Sequence, residues 1–327
     1  MLAAGLLAAC GGSDSGNDVL EGGQIAAPRS EIRVTSNVNR ILEGTRATTY
    51  NDAEALQTEA HFTCMAYEAN TTTTYISETT VDWNSTAWQF NNGASHYYWP
   101  LPATNGGAWP SLDFFAYMPA AANLSTYASY IGSITYTADH NVTFACTSLP
   151  MTNAGQGSSL KEFMFGVATG QNYGNADASG VTLNFQHPFA RIKLQLAANH
   201  SDVTINSITF KGIKNNGSYN YNGSPQWTTS GDATDFVLTL TDAAAVFDNN
   251  PATPTQIGEY YIMIPQEWDG DIEVNASWND WGDTPVAHTM STTIAQVEWL
   301  PGYSYTYTFS IKEDDLTVNL TNFTEQW

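Results

Sequence analysis

Residues 303–311 read Tyr303-Ser304-Tyr305-Thr306-Tyr307-Thr308-Phe309-Ser310-Ile311. Every odd position is aromatic or aliphatic and every even one carries a hydroxyl. Successive side chains of an extended strand point to opposite faces, so the run is predicted to be a central strand with one buried and one wet face. The same period recurs outward from it. Leu316, Val318 and Leu320 alternate with Thr317 and Asn319. Upstream, Ile192, Leu194 and Leu196 alternate with Arg191, Lys193 and Gln195, and Val181, Leu183 and Phe185 with Thr182 and Asn184. Near the start, Ile32, Val34 and Val38 share one face of a run whose other face carries Arg33, Thr35 and Asn37. Between the runs stand Asn91-Asn92-Gly93, Asn105-Gly106-Gly107, Asn215-Asn216-Gly217, Asn222-Gly223 and Asp269-Gly270, which read as turns. Such spacing predicts antiparallel sheets packed as sandwiches. Only Asp52 to Ala60 reads as a short helix.

A chain of 327 residues has room for about two domains, and its 42% hydrophobic content can fill two cores. The stretch from Asn153 to Gly180 is poor in large apolar residues outside Phe163 to Val167. The expected division is a leading segment at 1–10, a tether at 11–30, an N-terminal domain at 31–180 and a C-terminal domain at 181–327. Ten basic residues face 32 acidic ones, a net charge of −22. That excess opposes binding to phosphate backbones and to anionic membrane surfaces. No nucleic-acid partner is expected.

The leading segment carries its own signal. Leu2 to Ala9 is apolar but far short of the roughly 20 residues of a membrane-spanning helix. It ends in Leu7-Ala8-Ala9-Cys10 before Gly11 and Gly12, and no Lys or Arg precedes it. Small residues before a cysteine suit a signal peptidase and a lipid transferred to the thiol, so Cys10 is the expected lipidation site and lipid the expected membrane link. Gly11 to Pro28, rich in Gly, Ser, Asp and Asn, reads as a flexible tether. Cys64 and Cys146 have two readings of equal weight, one intradomain disulfide or two buried thiols.

Residues able to carry chemistry are scattered. The histidines at 61, 96, 140, 187, 200 and 288 have no ligand spacing, and no Cys pair suits a structural zinc. There is no nucleophile elbow and no phosphate-binding loop. His187, beside Pro188 at a strand bend, reads as structural. The acidic turns at Asp269 to Asp271 and Asp280 to Asp283 lack the spaced ligands of an EF-hand, and solvation accounts for them. The sequence therefore predicts no enzyme, no catalytic residue, no metal and no cofactor.

Two features carry rival readings. Trp83, Trp88, Trp99 and Trp109 either pack in sandwich cores, the favoured reading, or form an exposed row for sugars. The second would make the chain a glycan-binding lipoprotein of a polysaccharide uptake system. Arg29, Arg33, Arg40 and Arg46 precede a long stretch without another cation until Lys161. Arg46, in Gly44-Thr45-Arg46-Ala47-Thr48-Thr49, is either the target of a trypsin-like protease in an exposed loop or one of a few arginines left in a linker.

Together these residues resemble the fimbrillin family, subunits of Bacteroidales fimbriae called type V pili. The resemblance rests on the lipobox at Cys10 and on Thr45 to Ala47 behind a lone strand. It continues through Trp99-Pro100, Leu112 to Pro119, Leu183 to His187, Pro265-Gln266, Pro301-Gly302-Tyr303 and Trp327. It implies two tandem transthyretin-like sandwiches in a lipid-anchored precursor at the outer-membrane surface. It also implies cleavage at Arg46-Ala47, loss of the strand bearing Ile32, Val34 and Val38, and filling of the vacated groove by a neighbouring subunit. The C-terminal run with Leu316, Val318 and Leu320 is the candidate donor. The implied partners are other fimbrial subunits, a trypsin-like processing protease and a host or bacterial surface receptor.

Overall fold

The structure is a computed structural model, and it describes residues 30–38, 61–104, 107–157, 160–176, 180–197, 204–222, 224–240, 254–278, 284–312 and 315–326. The first strands are β1 (Val34–Val38), β2 (His61–Glu68), β3 (Thr74–Trp83), β4 (Trp88–Phe90) and β5 (Leu112–Met118). A short helix α1 (Ala121–Tyr127) leads to β6 (Ile131–Tyr136), β7 (Val142–Cys146) and β8 (Met164–Gln171). Helix α2 (Tyr173–Ala176) precedes β9 (Val181–Gln186), β10 (Ala190–Leu196), β11 (Thr204–Tyr221), β12 (Pro225–Thr239) and β13 (Thr255–Met263). The last strands are β14 (Glu267–Trp268), β15 (Asp271–Trp278), β16 (Val286–Thr293), β17 (Val297–Glu298), β18 (Tyr303–Lys312) and β19 (Asp315–Gln326). The expected helix over Asp52 to Ala60 lies outside the described residues.

Most of these strands form three sheets. Seven run in the order β1-β9-β8-β5-β2-β3-β4, and four in the order β13-β10-β18-β19. A third sheet runs β16-β15-β11-β7-β6, with β12 paired to β11. The chain is all-β, and β18 is central in its sheet, as its alternation predicts. Not every ladder is antiparallel: β1 runs parallel to β9, and β10 parallel to β18.

The sheets enclose three apolar clusters. One fills the inner face of the seven-stranded sheet, with Ile32, Val34, Phe62, Phe114, Val181, Leu183 and Phe185. A second lies against the four-stranded sheet, with Ile192, Leu194, Phe210, Trp268, Trp299, Tyr307 and Phe309. The third packs the other face of the seven-stranded sheet, through Phe115, Tyr117 and Phe165, onto Val142, Phe144, Tyr219, Phe189 and Ile262. Phe144 touches Phe163 and Tyr219 at ring distances of 4.8 Å and Trp227 at 5.6 Å. Strand β5 is buried along its whole length because both its faces are covered. Asp113 survives there because its carboxylate accepts from the backbone N–H groups of Asn70 at 2.9 Å and Gly170 at 2.7 Å, fixing two turns.

A long hairpin ties the halves. The root of β11 pairs with β15 (Thr204↔Ser277), and its tip pairs with β7 (Gly217↔Cys146 to Tyr221↔Val142). Asn215-Asn216-Gly217, expected to be a turn, lies inside this strand, beside register shifts between Phe210 and Ile213 and between Lys214 and Asn216. Glycine is needed at 217 because a Cβ there would come 2.9 Å from the Thr228 carbonyl oxygen.

The strand pairing bears on the expected domain division, and the burial of the cysteines on their two readings. A division at 180/181 would part β9 from its sheet, yet β9 pairs with β8 and β1, and Val181, Leu183 and Phe185 sit in the N-terminal core. The change of sheet comes at the bend after Gln186. There His187 is buried, and its Nδ1 lies 2.9 Å from Glu162 Oε2. Burial pushes the Glu162 carboxyl up, and the imidazole opposes that shift. Cys64 and Cys146 form no disulfide: both are free and buried, in separate clusters on opposite faces of the seven-stranded sheet.

Candidate assembly site

The first strand and its seat form the candidate site. Val34 to Val38 pair in register with Val181 to Phe185, which makes β1 an edge of the seven-stranded sheet. Just before β1 the chain bridges a second segment. Ile32 N donates to the Tyr97 carbonyl at 2.7 Å, and Trp99 N donates to the Ser30 carbonyl at 3.0 Å. Strands β1 and β4, the two ends of this sheet, come within 8 Å at their Cα atoms, so the sheet curls toward itself and β1 stands between β9 and β4.

Side chains divide by face, as their alternation predicts. Ile32 and Val34 are 2% and 3% exposed and plug the inner core. Burying such side chains fully is worth about 1.5–3 kcal/mol each. Outside, Arg33 is exposed, Thr35 Oγ1 donates to Thr182 Oγ1 at 3.2 Å, and Asn37 Nδ2 donates to Asn184 Oδ1 at 3.2 Å. These wet contacts add little, since a net protein hydrogen bond is worth about 0.5–1.5 kcal/mol before solvent competes. Val38 pairs through its backbone with Phe185. Sequence reasoning missed two features of the seat. The buried Trp88 donates its indole N–H to Ser36 Oγ at 2.9 Å. Gly180, at φ +81°, lies against the Arg33 carbonyl, which accepts from Val181 N at 2.8 Å.

The seat is one-sided. β1 is fully paired only along β9, and among the described side chains of this segment Ile32 and Val34 hold it in the core. Departure of β1 would open two apolar pockets and unpair the edge of β9, a template for another strand. Arg46, Ala47 and Cys10 lie outside the described residues.

The candidate donor is seated at home. β19 pairs antiparallel with β18, Leu316 opposite Ile311 and Leu320 opposite Tyr307. Leu316 is buried and Val318 and Leu320 pack against the second cluster. β19 is nevertheless an edge strand of its sheet. The tryptophans do not form a displayed row: Trp88 and Trp99 are buried, and Trp83 and Trp109 half-buried. Trp83 packs on Trp88, and Trp109 on Tyr173. Among the described residues, no group of three or more His, Cys, Asp or Glu side chains could hold a metal ion.

Comparison with known proteins bears on this arrangement. A family model described as fimbrillin-like matches residues 45–327. Among solved structures, a fimbrial protein from Bacteroides vulgatus is similar at a TM-score of 0.61 and 14% identity, over 90% of this chain and 99% of that one. A candidate cell-adhesion protein from Bacteroides ovatus is similar at 0.52 and 16% identity, over 92% and 99%. Another from Bacteroides uniformis is similar at 0.52 and 13% identity, over 90% and 99%. No curated protein sequence matches. At these identities the structures share the fold, while the family match spans most of the sequence. The chain belongs to the fimbrillin-like family.

Proposed function

We propose that this chain is exported as a lipid-anchored precursor, with the lipid on Cys10, and becomes a structural subunit of a cell-surface fimbria by strand exchange. Fimbrillin-like proteins are structural, and the chain is not an enzyme. The observation that carries the exchange step is the seat of β1, an edge strand plugging the core with Ile32 and Val34. Residues 39–60, which include Arg40 and Arg46, separate it in sequence from β2. The family match begins at residue 45 and leaves β1 outside it. A trypsin-like protease cutting Arg46-Ala47 would free the strand. A strand carrying alternate apolar residues from another subunit would then restore the backbone ladder and refill the pockets. The chain's own last strand, with Leu316, Val318 and Leu320, has that alternation. The fimbria so built supports adhesion to a host or bacterial surface receptor.

The direct test is the mature N-terminus of protein recovered from surface filaments. It reads Ala47 if the first strand is removed; Cys10 throughout the filaments would end the processing step. Anchoring is checked separately by acyl-chain labelling, which Cys10→Ala should abolish.

A further inference from the structure

We propose that Trp88 sets the register in which the vacated first-strand groove takes a replacement strand, choosing one of the two seatings that the last strand of a second copy allows. This rests on the strand-exchange reading above and adds to it a rule of selection.

The groove presents three inward positions in a row. Ile32 and Val34 fill the first two with aliphatic side chains, and Ser36 occupies the third. The third is polar because of what faces it. Trp88 sits on β4, across the gap that β1 fills, and is held by Phe62 at a ring distance of 4.7 Å and Trp83 at 5.3 Å. Its ring is fixed and buried, so its N–H cannot swing out to water; the acceptor it finds is Ser36 Oγ at 2.9 Å. When β1 leaves, that donor loses its partner. A replacement with an aliphatic residue at the third position would seal it away unpaired, a loss larger than the bond's net worth.

The groove therefore asks for a strand running in the direction of β1, apolar at two alternate positions, with an acceptor side chain at the next. The last strand carries three aliphatics in alternation, which allow two seatings by shape alone. In one, Leu316 and Val318 replace Ile32 and Val34, and Leu320 meets the indole. In the other, Val318 and Leu320 replace them, and Asn322 brings an amide oxygen to the indole, with Thr321 at the position of Thr35 beside Thr182. The second satisfies the donor, and Trp88 selects it.

The test uses trypsin-nicked full chain, stripped of its first strand in mild denaturant, and two labelled peptides, residues 30–38 and 316–324. Both should bind. Ser36→Ala in the first peptide and Asn322→Leu in the second should each weaken binding at least about fivefold. Against Trp88→Phe protein the substituted and parent peptides should bind alike. Parent and substituted peptides binding equally to wild type would overturn the selection rule and leave strand exchange standing. Failure of the 30–38 peptide to bind at all would instead sink strand release. The contact itself is then judged in the intact chain by combining Ser36→Ala with Trp88→Phe. Coupled effects on the denaturation midpoint support it, and strictly additive effects reject it.

Discussion

The indole N–H of Trp299 donates to the Tyr307 hydroxyl over 2.9 Å, and both side chains are buried in the second cluster. Trp268 stacks on Trp299 at 5.3 Å, and Phe210 meets Tyr307 edge-on at 5.1 Å. Removing only the hydroxyl, in Tyr307→Phe, keeps the packing but orphans the indole, and should cost about 1–3 kcal/mol. Tyr307→Asp places a carboxylate among these rings and should cost about 4 kcal/mol or more. Denaturant titration checks both. Aspartate tolerated as well as phenylalanine would mean that residue 307 faces water.

Cys64 and Cys146 should behave as inert thiols. Burial pushes both from their ordinary value near 9 up to about 12. At neutral pH almost no reactive thiolate forms, so iodoacetamide should label the two only in unfolded protein. Reduction should leave the intact mass unchanged.

The same burial sets an alkaline limit. The folded state holds these protons more tightly than the unfolded chain. Their contribution is therefore complete below about pH 8 and falls as pH climbs toward 12, by up to about 1.4 kcal/mol per pH unit for each group. The buried phenols of Tyr117, Tyr219 and Tyr307, also pushed up mainly by burial, act the same way above their ordinary value of 10. Stability should therefore decline steadily above pH 9, and a flat profile to pH 11 would contradict these burials.

The strands read most surely from sequence were those with one dry face. Val181 to Phe185 falls where its alternation puts it, and so do Ile32 and Val34. Tyr303 to Ile311 turns its aromatic face inward from Tyr305 on, but Ser304 and Thr306 are buried too, because this strand is covered on its second face as well. The sheet to which each belongs was less legible. Val181, Leu183 and Phe185 alternate in the same way whichever core they fill, and the pairing of β9 with β1 joins residues far apart in sequence. Asn215-Asn216-Gly217 has the composition of a turn for other reasons: Gly217 passes close to Thr228, Asn215 Nδ2 donates to the Leu149 carbonyl, and Asn216 Oδ1 accepts from Ser148 N. Ser36 shares the inward face of its run with Ile32 and Val34, and nothing in the sequence shows why a hydroxyl stands there. Only Trp88, reaching from another strand, makes it part of the seat.

Gly180 should control how firmly the first strand sits. At φ +81° a side chain is strained, and a Cβ would come 2.9 Å from the Arg33 carbonyl oxygen. Gly180→Ala should therefore cost about 1–3 kcal/mol and push the chain at Arg33 away from Val181. Hydrogen exchange read peptide by peptide should show faster exchange in Val34–Val38 with β18 unaffected. Uniform acceleration across the chain would mean global destabilisation, and no change at all would mean that the seat is not fixed at Gly180.

Assembly should depend on cutting the chain between β1 and β2. While the chain is intact, β1 fills its groove at an effective concentration that a free strand cannot match, so precursor should remain monomeric. Trypsin-nicked protein can lose the strand and should form ladders that survive mild denaturant, since each exchange replaces a row of backbone bonds and two apolar plugs. Arg46→Ala should slow the ladders, and Arg40→Ala combined with it should abolish them if Arg40 serves as a substitute site. Shortening the chain before Leu316 removes the candidate donor. Nicked protein of that form should expose the groove without forming ladders, and added 316–324 peptide should occupy it. Polymerisation of the uncut precursor at the rate of nicked protein would reject release of the first strand as the trigger, with the fold and the family unaffected.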